Sequence, residues 1–243
     1  KASLPANKEI KRNALKALKM SRTDTINLSI ITICLGGVSL FAFTCTEGII
    51  VALSGVLRSG SVSGNLGTVL WWTYIIFALY LLLSILVGSF VELGYDRWLL
   101  LWLKGKRPGN DVLFGFKKYW FNSVLLRLYM AMKSILWMAL LFVPGIVAVV
   151  NYALAPYVIA QFPHVKPPDA VKISKVLMKG YKVKLVLLVL SFLDEILLSF
   201  LALGLPLFYV IPRIKITVAE FYRERIALHD EQVRQIARQA GSR

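Results

Sequence analysis

Long apolar runs separated by short basic segments make up almost the whole chain. Four runs each have about the length of one membrane span, and they cover residues 26–51, 68–91, 123–143 and 144–161. A fifth run, 183–222, is longer and is divided by a turn signal at Gly204-Leu205-Pro206. Because an apolar helix of about 20 residues crosses a bilayer, the pattern predicts six transmembrane helices paired as three hairpins.

We therefore expect an all-α integral membrane fold that forms a single domain over residues 1–243. Ile10, Ala14 and Ala17 share one helical face with lysines around it, which is typical of an amphipathic helix at the membrane interface. A second basic interfacial helix is expected to begin at Pro168-Asp169 and to end at Gly180. The predicted parts are an interfacial helix (1–22), a first hairpin (26–91), a second hairpin unit (111–161), a third hairpin unit (169–222) and a cytoplasmic tail (223–243).

Basic residues are concentrated in four segments, and their placement predicts the orientation of the chain. Segments 1–22, 94–122, 162–184 and 223–243 hold 24 of the 29 Lys and Arg residues, whereas the opposite loops hold only Arg58. Loops rich in Lys and Arg stay on the cytoplasmic side of a membrane. Both termini are therefore expected in the cytoplasm.

The net charge of +16 favours anionic membrane lipids as partners over nucleic acid, because 57% of the residues are hydrophobic and no nucleic-acid-binding motif is present. Lysines of the basic segments are the expected lipid contacts: Lys117, Lys118, Lys175, Lys179 and Lys182. No cofactor or metal site is predicted, since His164, His229, Cys34 and Cys45 show no ligand spacing. The lack of a catalytic motif also argues against an enzyme.

Six polar residues are predicted to lie at similar depth within the spans, and together they are termed the midplane layer. Counting about 1.5 Å per residue from the turns gives its members: Lys133, Asn151, Asp194, Glu195, Arg213 and Lys215. Asp194 or Glu195 can meet Arg213 across a tight turn, and the other acid can face Lys133. Such charges form either a structural ion pair or a site for an anionic head group or a proton-coupled solute. A third interpretation is that Lys133 or Lys215 extends to an interface.

Other residues near the spans have simpler interpretations. Pro156 and Pro212 lie within short spans and predict kinks. Glu92 and Asp96 lie four residues apart near the inner interface, where a helix cap or a solvated face beside Arg97 is expected. Residues 110–126 and 168–188 share a plan of acidic start, basic helix and span, and parallel repeats of this kind occur in many transport folds.

Several motifs resemble a known family. LWMALLFVPGIVAVVNYALAPYVIAQFP, DAVKISKVLMKGYKVKLVLLVLSF and a terminal pattern (Pro212, Thr217, Ala219, Phe221 and Tyr222) are similar to the bacterial integral membrane family catalogued as domain of unknown function 975. The resemblance implies a polytopic protein of the bacterial cytoplasmic membrane and no established activity. A looser likeness is to membrane domains of glycerophosphodiester phosphodiesterases. The chain departs from the family pattern at Asp194-Glu195 and at Arg213.

We expect a non-enzymatic membrane protein that binds or transports a lipid-like or amphipathic solute through the midplane layer. The alternative is an accessory or scaffold subunit, as a homo-oligomer or within a membrane complex, in which the charges are purely structural. A membrane-embedded enzyme is the third hypothesis.

Overall fold

The computed structural model describes five continuous ranges and a few positions between 27 and 82; the ranges are 6–20, 85–109, 111–140, 142–201 and 207–241. All regular structure in these ranges is helical, which confirms the all-α prediction. A 3₁₀ turn, Gly115–Tyr119, precedes α4. The α-helices are α1 (Asn7–Met20), α2 (Gly88–Leu103), α3 (Asp111–Phe114), α4 (Trp120–Leu140), α5 (Phe142–Tyr152), α6 (Ala155–Gln161), α7 (Pro167–Met178), α8 (Lys182–Leu190), α9 (Leu193–Leu201), α10 (Leu207–Leu228) and α11 (Asp230–Gly241).

Helix α2 lies at the centre of the described fold. It packs against α1, α3, α4, α6 and α10, and its Tyr95, Trp98 and Leu99 side chains are buried. Helices α6 and α7 add further buried apolar side chains, including Ile159 and Ile173. Charged side chains on the covered faces of α2 are therefore held inside a packed core.

The C-terminal end of α2 is shaped by a glycine. The helix continues past Val91, the predicted end of the second span, and stops at Leu103. The backbone N–H of Gly105 then donates to the carbonyl of Trp102 at 2.9 Å, and the N–H of Lys106 donates to that of Leu101 at 3.1 Å. Gly105 has φ 77°, which glycine adopts without a steric penalty, so the cap satisfies the last carbonyls of the helix. This turn places Lys106 and the following residue beside the end of α2.

Helix α1 forms where the sequence predicts it, but protein covers its apolar face. Ile10 and Ala14 are fully buried, and the helix packs along α10. Asn7 Nδ2 donates to the carbonyl of Lys184 at 3.3 Å. An interfacial helix would offer its apolar face to lipid, so the structure differs from that expectation because other helices, α10 foremost, bury the face.

The second hairpin unit matches its predicted position closely. Helices α4 and α5 approach tightly at Gly145, where an added Cβ atom would lie 2.5 Å from Met138 Cγ. Helix α6 begins at Ala155 with Pro156 in its first turn, so the helix is interrupted beside the proline where a kink is expected. Among the described residues, two helical stretches are long and apolar enough to cross a membrane, and they overlap the predicted third and fourth spans: Asp111–Leu140, which includes α3 and α4, and Pro144–Gln161, which includes α6 and most of α5.

The third hairpin unit agrees with the prediction in its first helix and differs from it in the fifth span. Helix α7 begins one residue before Pro168, and Gly180, with φ 78°, follows its end as predicted. The predicted fifth span is two helices, α8 and α9, separated at Ser191-Phe192. The corresponding segment 111–119 is shorter than α7 and partly 3₁₀, so the two copies of the proposed repeat differ. Most of the predicted first hairpin and the turn at 202–206 lie outside the described residues.

Candidate functional site

Four charged side chains from three helices meet beside the core, and together they are termed the charge cluster: Glu92, Asp96, Arg127 and Lys215. Glu92 and Asp96 are four residues apart on α2, so they share one face of that helix. Arg127 comes from α4 and Lys215 from α10, both of which pack against α2. Helix packing therefore brings two acids and two bases together.

Glu92 bridges the two bases. Its Oε2 atom lies 2.6 Å from Arg127 Nη2, and its Oε1 atom lies 2.6 Å from Lys215 Nζ. Lys215 Nζ also lies 3.3 Å from Asp96 Oδ1. The four charges balance, so burying the cluster costs much less free energy than burying any one of its members alone.

The backbone around Lys215 is also fixed. The hydroxyl of Tyr157, on α6, donates to the backbone carbonyl of Lys215 at 3.2 Å. The Tyr157 ring stacks on that of Tyr222 with 5.7 Å between centroids. These contacts tie α10 to α6 at the level of the charge cluster, and they hold the lysine in register with its acids.

The two ends of the charge cluster differ in exposure. The side chain of Asp96 is 0% exposed, and its Oδ2 atom has no hydrogen-bond partner among the described residues. Burial raises the pKa of Asp96 to about 7, with a contribution from the charge of Glu92 and against the opposing effect of Lys215. Glu92 and Arg127 keep 21% and 25% of their side-chain surface. The Asp96 end is therefore closed, whereas the Arg127 end is open.

A cavity of about 170 Å³ lies at the open end of the charge cluster, and we term it the central cavity. Ser89 and Ser123 line it together with the Glu92–Arg127 pair, and Met130 adds an apolar wall. The Ser89 and Ser123 hydroxyls donate to the backbone carbonyls four residues earlier, those of Ile85 and Tyr119, so their oxygens are left to accept hydrogen bonds. Pockets for drug-sized ligands usually exceed about 300 Å³, so this one suits a head group or a small solute.

Arg213 forms a separate ion pair on α10. Its guanidinium contacts the carboxylate of Glu195 on α9. The guanidinium carbon lies 5.8 Å from the ring centroid of Phe192 and 5.3 Å from that of Tyr209. Of the two adjacent acids offered by the sequence, Glu195 therefore faces the arginine, while Asp194 is exposed.

The predicted midplane layer is not gathered into one site. Lys215 belongs to the charge cluster, and Arg213 pairs elsewhere, because residues two apart point to nearly opposite sides of a helix. Lys133 makes no ion pair with either Asp194 or Glu195; its Nζ lies 5.5 Å from the ring of Tyr129 on its own helix. The backbone carbonyl of Asn151 accepts a hydrogen bond from the Ser174 hydroxyl at 2.6 Å.

The predicted lipid contacts are on the surface. Lys117, Lys118, Lys175 and Lys179 are exposed, and Lys182 is half-buried. Lys175 Nζ also lies 5.5 Å from the ring of Tyr152. Contact of these lysines with lipid stays a prediction.

The interpretation of Glu92 and Asp96 as a helix cap or a solvated face is wrong. Both acids contact Lys215 on α10, and Glu92 also contacts Arg127 on α4. The side chain of Asp96 is fully buried. A signal was present in the sequence, since two acids at i and i+4 follow an apolar run and two bases lie within other spans. What the sequence lacks is the information that α4 and α10 pack against α2.

The charge cluster thus presents a partly exposed Glu92–Arg127 pair at the central cavity and a fully buried carboxylate, Asp96, at its other end. In the part of the chain that the structure describes, no three His, Cys, Asp or Glu side chains come together as a metal site.

Comparison with known proteins places the chain in a family. No curated protein and no solved structure matches it, so the looser likeness to glycerophosphodiester phosphodiesterase membrane domains gains no support. A family described as a protein of unknown function, DUF975, matches residues 5–228, a stretch that includes the whole charge cluster. The chain therefore belongs to the DUF975 family.

Proposed function

We propose that the chain is a multi-pass protein of the bacterial cytoplasmic membrane, with six spans and both termini in the cytoplasm. The charge asymmetry of the sequence and two helices of sufficient length and hydropathy support this. In Asp111–Leu140 only 11% of the most apolar stretch is buried, whereas the core helix of a soluble protein would be mostly buried. Ile135, Leu136 and Leu140, at 66%, 64% and 69% exposure, are then lipid-facing residues.

Within that membrane domain, the proposed function is to bind and move a lipid-like or amphipathic solute without chemical change. The observation that carries this proposal is the central cavity, which combines a partly open ion pair with an apolar wall. Arg127 keeps 25% of its side-chain surface, and it lines the cavity beside Glu92. Because Lys215 also holds Glu92, Arg127 can turn toward an anionic head group without leaving Glu92 unpaired.

Native mass spectrometry of the gently extracted full chain tests this function. We expect the wild-type protein to retain an anionic amphiphile that Arg127→Gln loses, while Arg12→Gln retains it, because Arg12 is an exposed arginine on α1 outside the central cavity. Ser123→Leu fills the cavity without a change of charge and should also reduce retention. Equal retention by the wild type and both cavity variants would overturn the proposal.

A second candidate function is that of an accessory or scaffold subunit. The exposed apolar side chains of α4, including Met132 and Ile135, favour it because a partner subunit could cover them in place of lipid. The same mass spectra separate the two functions. A co-purifying protein subunit without bound amphiphile would support the scaffold, and bound amphiphile without a subunit would support the solute-binding function.

A further inference from the structure

A second and larger cavity, which we term the basic cavity, lies between α1, the C-terminal end of α2 and α10. Its volume is about 400 Å³, and it shares no lining residue with the central cavity. The polar groups and the ring that matter for its chemistry are Asn13, Trp102, Lys106, Arg107, Glu220 and Arg223. The proposed orientation places this end of α2 at the cytoplasmic face, where lipid head groups lie.

The basic residues of the cavity play two different roles. Arg223 is already committed, since its Nη1 donates to the carbonyl of Leu103 at 2.7 Å and its Nη2 donates to Glu220 Oε1 at 2.6 Å. Lys106 and Arg107 are exposed, and neither has an ion-pair partner among the described residues. The glycine turn after α2 holds these two residues at the rim. They are therefore the bases that can receive an anion.

Glu220 supplies a contrasting group on the wall of the cavity. Its side chain is 1% exposed, and its Oε2 atom has no hydrogen-bond partner among the described residues. A buried carboxylate oxygen that accepts no hydrogen bond lowers the stability of the fold. A ligand hydroxyl that donates to this oxygen would remove that free-energy cost. The cavity thus offers positive charge at its rim and an unsatisfied acceptor on its wall.

We propose that the basic cavity binds a phosphate anion that carries a nearby hydroxyl group, as the glycerol head group of an anionic phospholipid does. The phosphate pairs with Lys106 and Arg107, and the hydroxyl donates to Glu220 Oε2. The lining has three bases and one acid, so a ligand with net negative charge fits better than a zwitterionic one. The proposal rests on the proposed membrane location, but it does not require the central cavity to bind anything.

The test uses the full chain in phosphatidylcholine nanodiscs that contain a small fraction of either phosphatidylglycerol or phosphatidylethanol. These two probes have the same charge, but only phosphatidylglycerol carries hydroxyl groups on its head group. We expect native mass spectrometry to show at least about tenfold greater retention of phosphatidylglycerol, which corresponds to one strong charge-assisted hydrogen bond. Glu220→Gln should reduce that preference, because the amide is a weaker acceptor than the carboxylate.

A matched pair of double variants tests whether the loss of two positive charges anywhere on the protein is enough to reduce binding. Lys106→Gln/Arg107→Gln should lose most of the bound phosphatidylglycerol. Lys8→Gln/Arg12→Gln removes the same charge from exposed residues outside the basic cavity and should keep it. Equal loss in both double variants, or equal retention of the two lipids by the wild type, would overturn the proposal.

Free glycerol phosphate distinguishes a lipid from a soluble ligand of the same chemistry. If it displaces phosphatidylglycerol from the wild-type protein, the site recognises the head group alone; if it does not, the acyl chains contribute and the ligand is a lipid. The signature of the basic cavity is the preference for phosphatidylglycerol over phosphatidylethanol and its reduction in Glu220→Gln. Arg127→Gln should lower total retention of anionic lipid through the central cavity but leave that preference in place. Failure of the central-cavity proposal is therefore distinguishable from failure at the basic cavity.

Discussion

Arg213 and Lys215 lie two residues apart on α10, yet they take part in ion pairs of different kinds. Arg213 contacts Glu195, which is 18 residues away in the sequence and belongs to the same hairpin. Lys215 contacts Glu92, which is 123 residues away and lies just after the predicted second span. The Arg213–Glu195 pair joins two helices that are consecutive in the chain, whereas the Lys215–Glu92 pair joins helices from different predicted hairpins.

The two pairs also differ in what a broken contact leaves behind. Glu195 and Arg213 keep 24% and 19% of their side-chain surface, so either can reach water or a lipid head group if it loses its partner. Asp96 has no exposed surface, and Lys215 is the base within reach of it. Loss of Lys215 should therefore cost more free energy than loss of Arg213.

The largest expected effect is that of Lys215→Met. The change leaves Asp96 without its base and Glu92 with Arg127 alone, and removal of one partner from a buried pair typically costs about 3–5 kcal/mol. Unfolding in mixed micelles, followed by tryptophan fluorescence, measures the loss. Adding Asp96→Asn should restore part of the stability. A Lys215→Met protein as stable as the wild type would show that the charge cluster does not hold the hairpins together.

The next effect is a pH dependence that the Arg213 pair should not share. Because the pKa of Asp96 is raised from its ordinary 3.8 to about 7, the folded chain binds this proton more tightly than the unfolded chain does. The resulting stability is present in acid and is lost as pH rises from about 4 to about 7, by about 4 kcal/mol in total. Asp96→Asn cannot titrate, so it should reduce the stability difference between about pH 5 and pH 8. An unchanged difference would contradict the prediction, since all other groups are common to both proteins.

Arg213→Leu should have a smaller effect, about 1–3 kcal/mol, because it leaves only Glu195 unpaired and that carboxylate is partly exposed. The same unfolding assay, applied to Arg213→Leu, Glu195→Leu and the double variant, gives the coupling energy of the pair. Additive losses of unfolding free energy would mean that the two side chains contribute separately and that their ion pair does not stabilise the fold.

The contrast between the two pairs also explains how much the sequence could predict. The turn signal at Gly204-Leu205-Pro206 predicts that α9 and α10 are neighbours, so a contact between Arg213 and an acid near 194–195 follows from the sequence. Periodicity likewise predicts α7 and its glycine end, and Pro156 predicts the break before α6. The partners of Lys215 depend on which hairpins pack together, and apolar spans have similar hydropathy whichever neighbour they have. For the same reason, the burial of the α1 apolar face by protein could not be read from its amphipathic pattern.

Lys133→Met should have the smallest effect and completes the comparison. Lys133 is predicted at the same depth as the two paired bases, but it forms no ion pair among the described residues, and its Nζ lies 5.5 Å from the ring of Tyr129. Such a cation–π contact is worth at most about 1 kcal/mol at a partly exposed site, so the unfolding free energy should change by less than that. A loss as large as that of Lys215→Met would show that Lys133 has an acid partner. A small change would show that an acid within reach, and not depth in the span, makes a basic residue structurally essential.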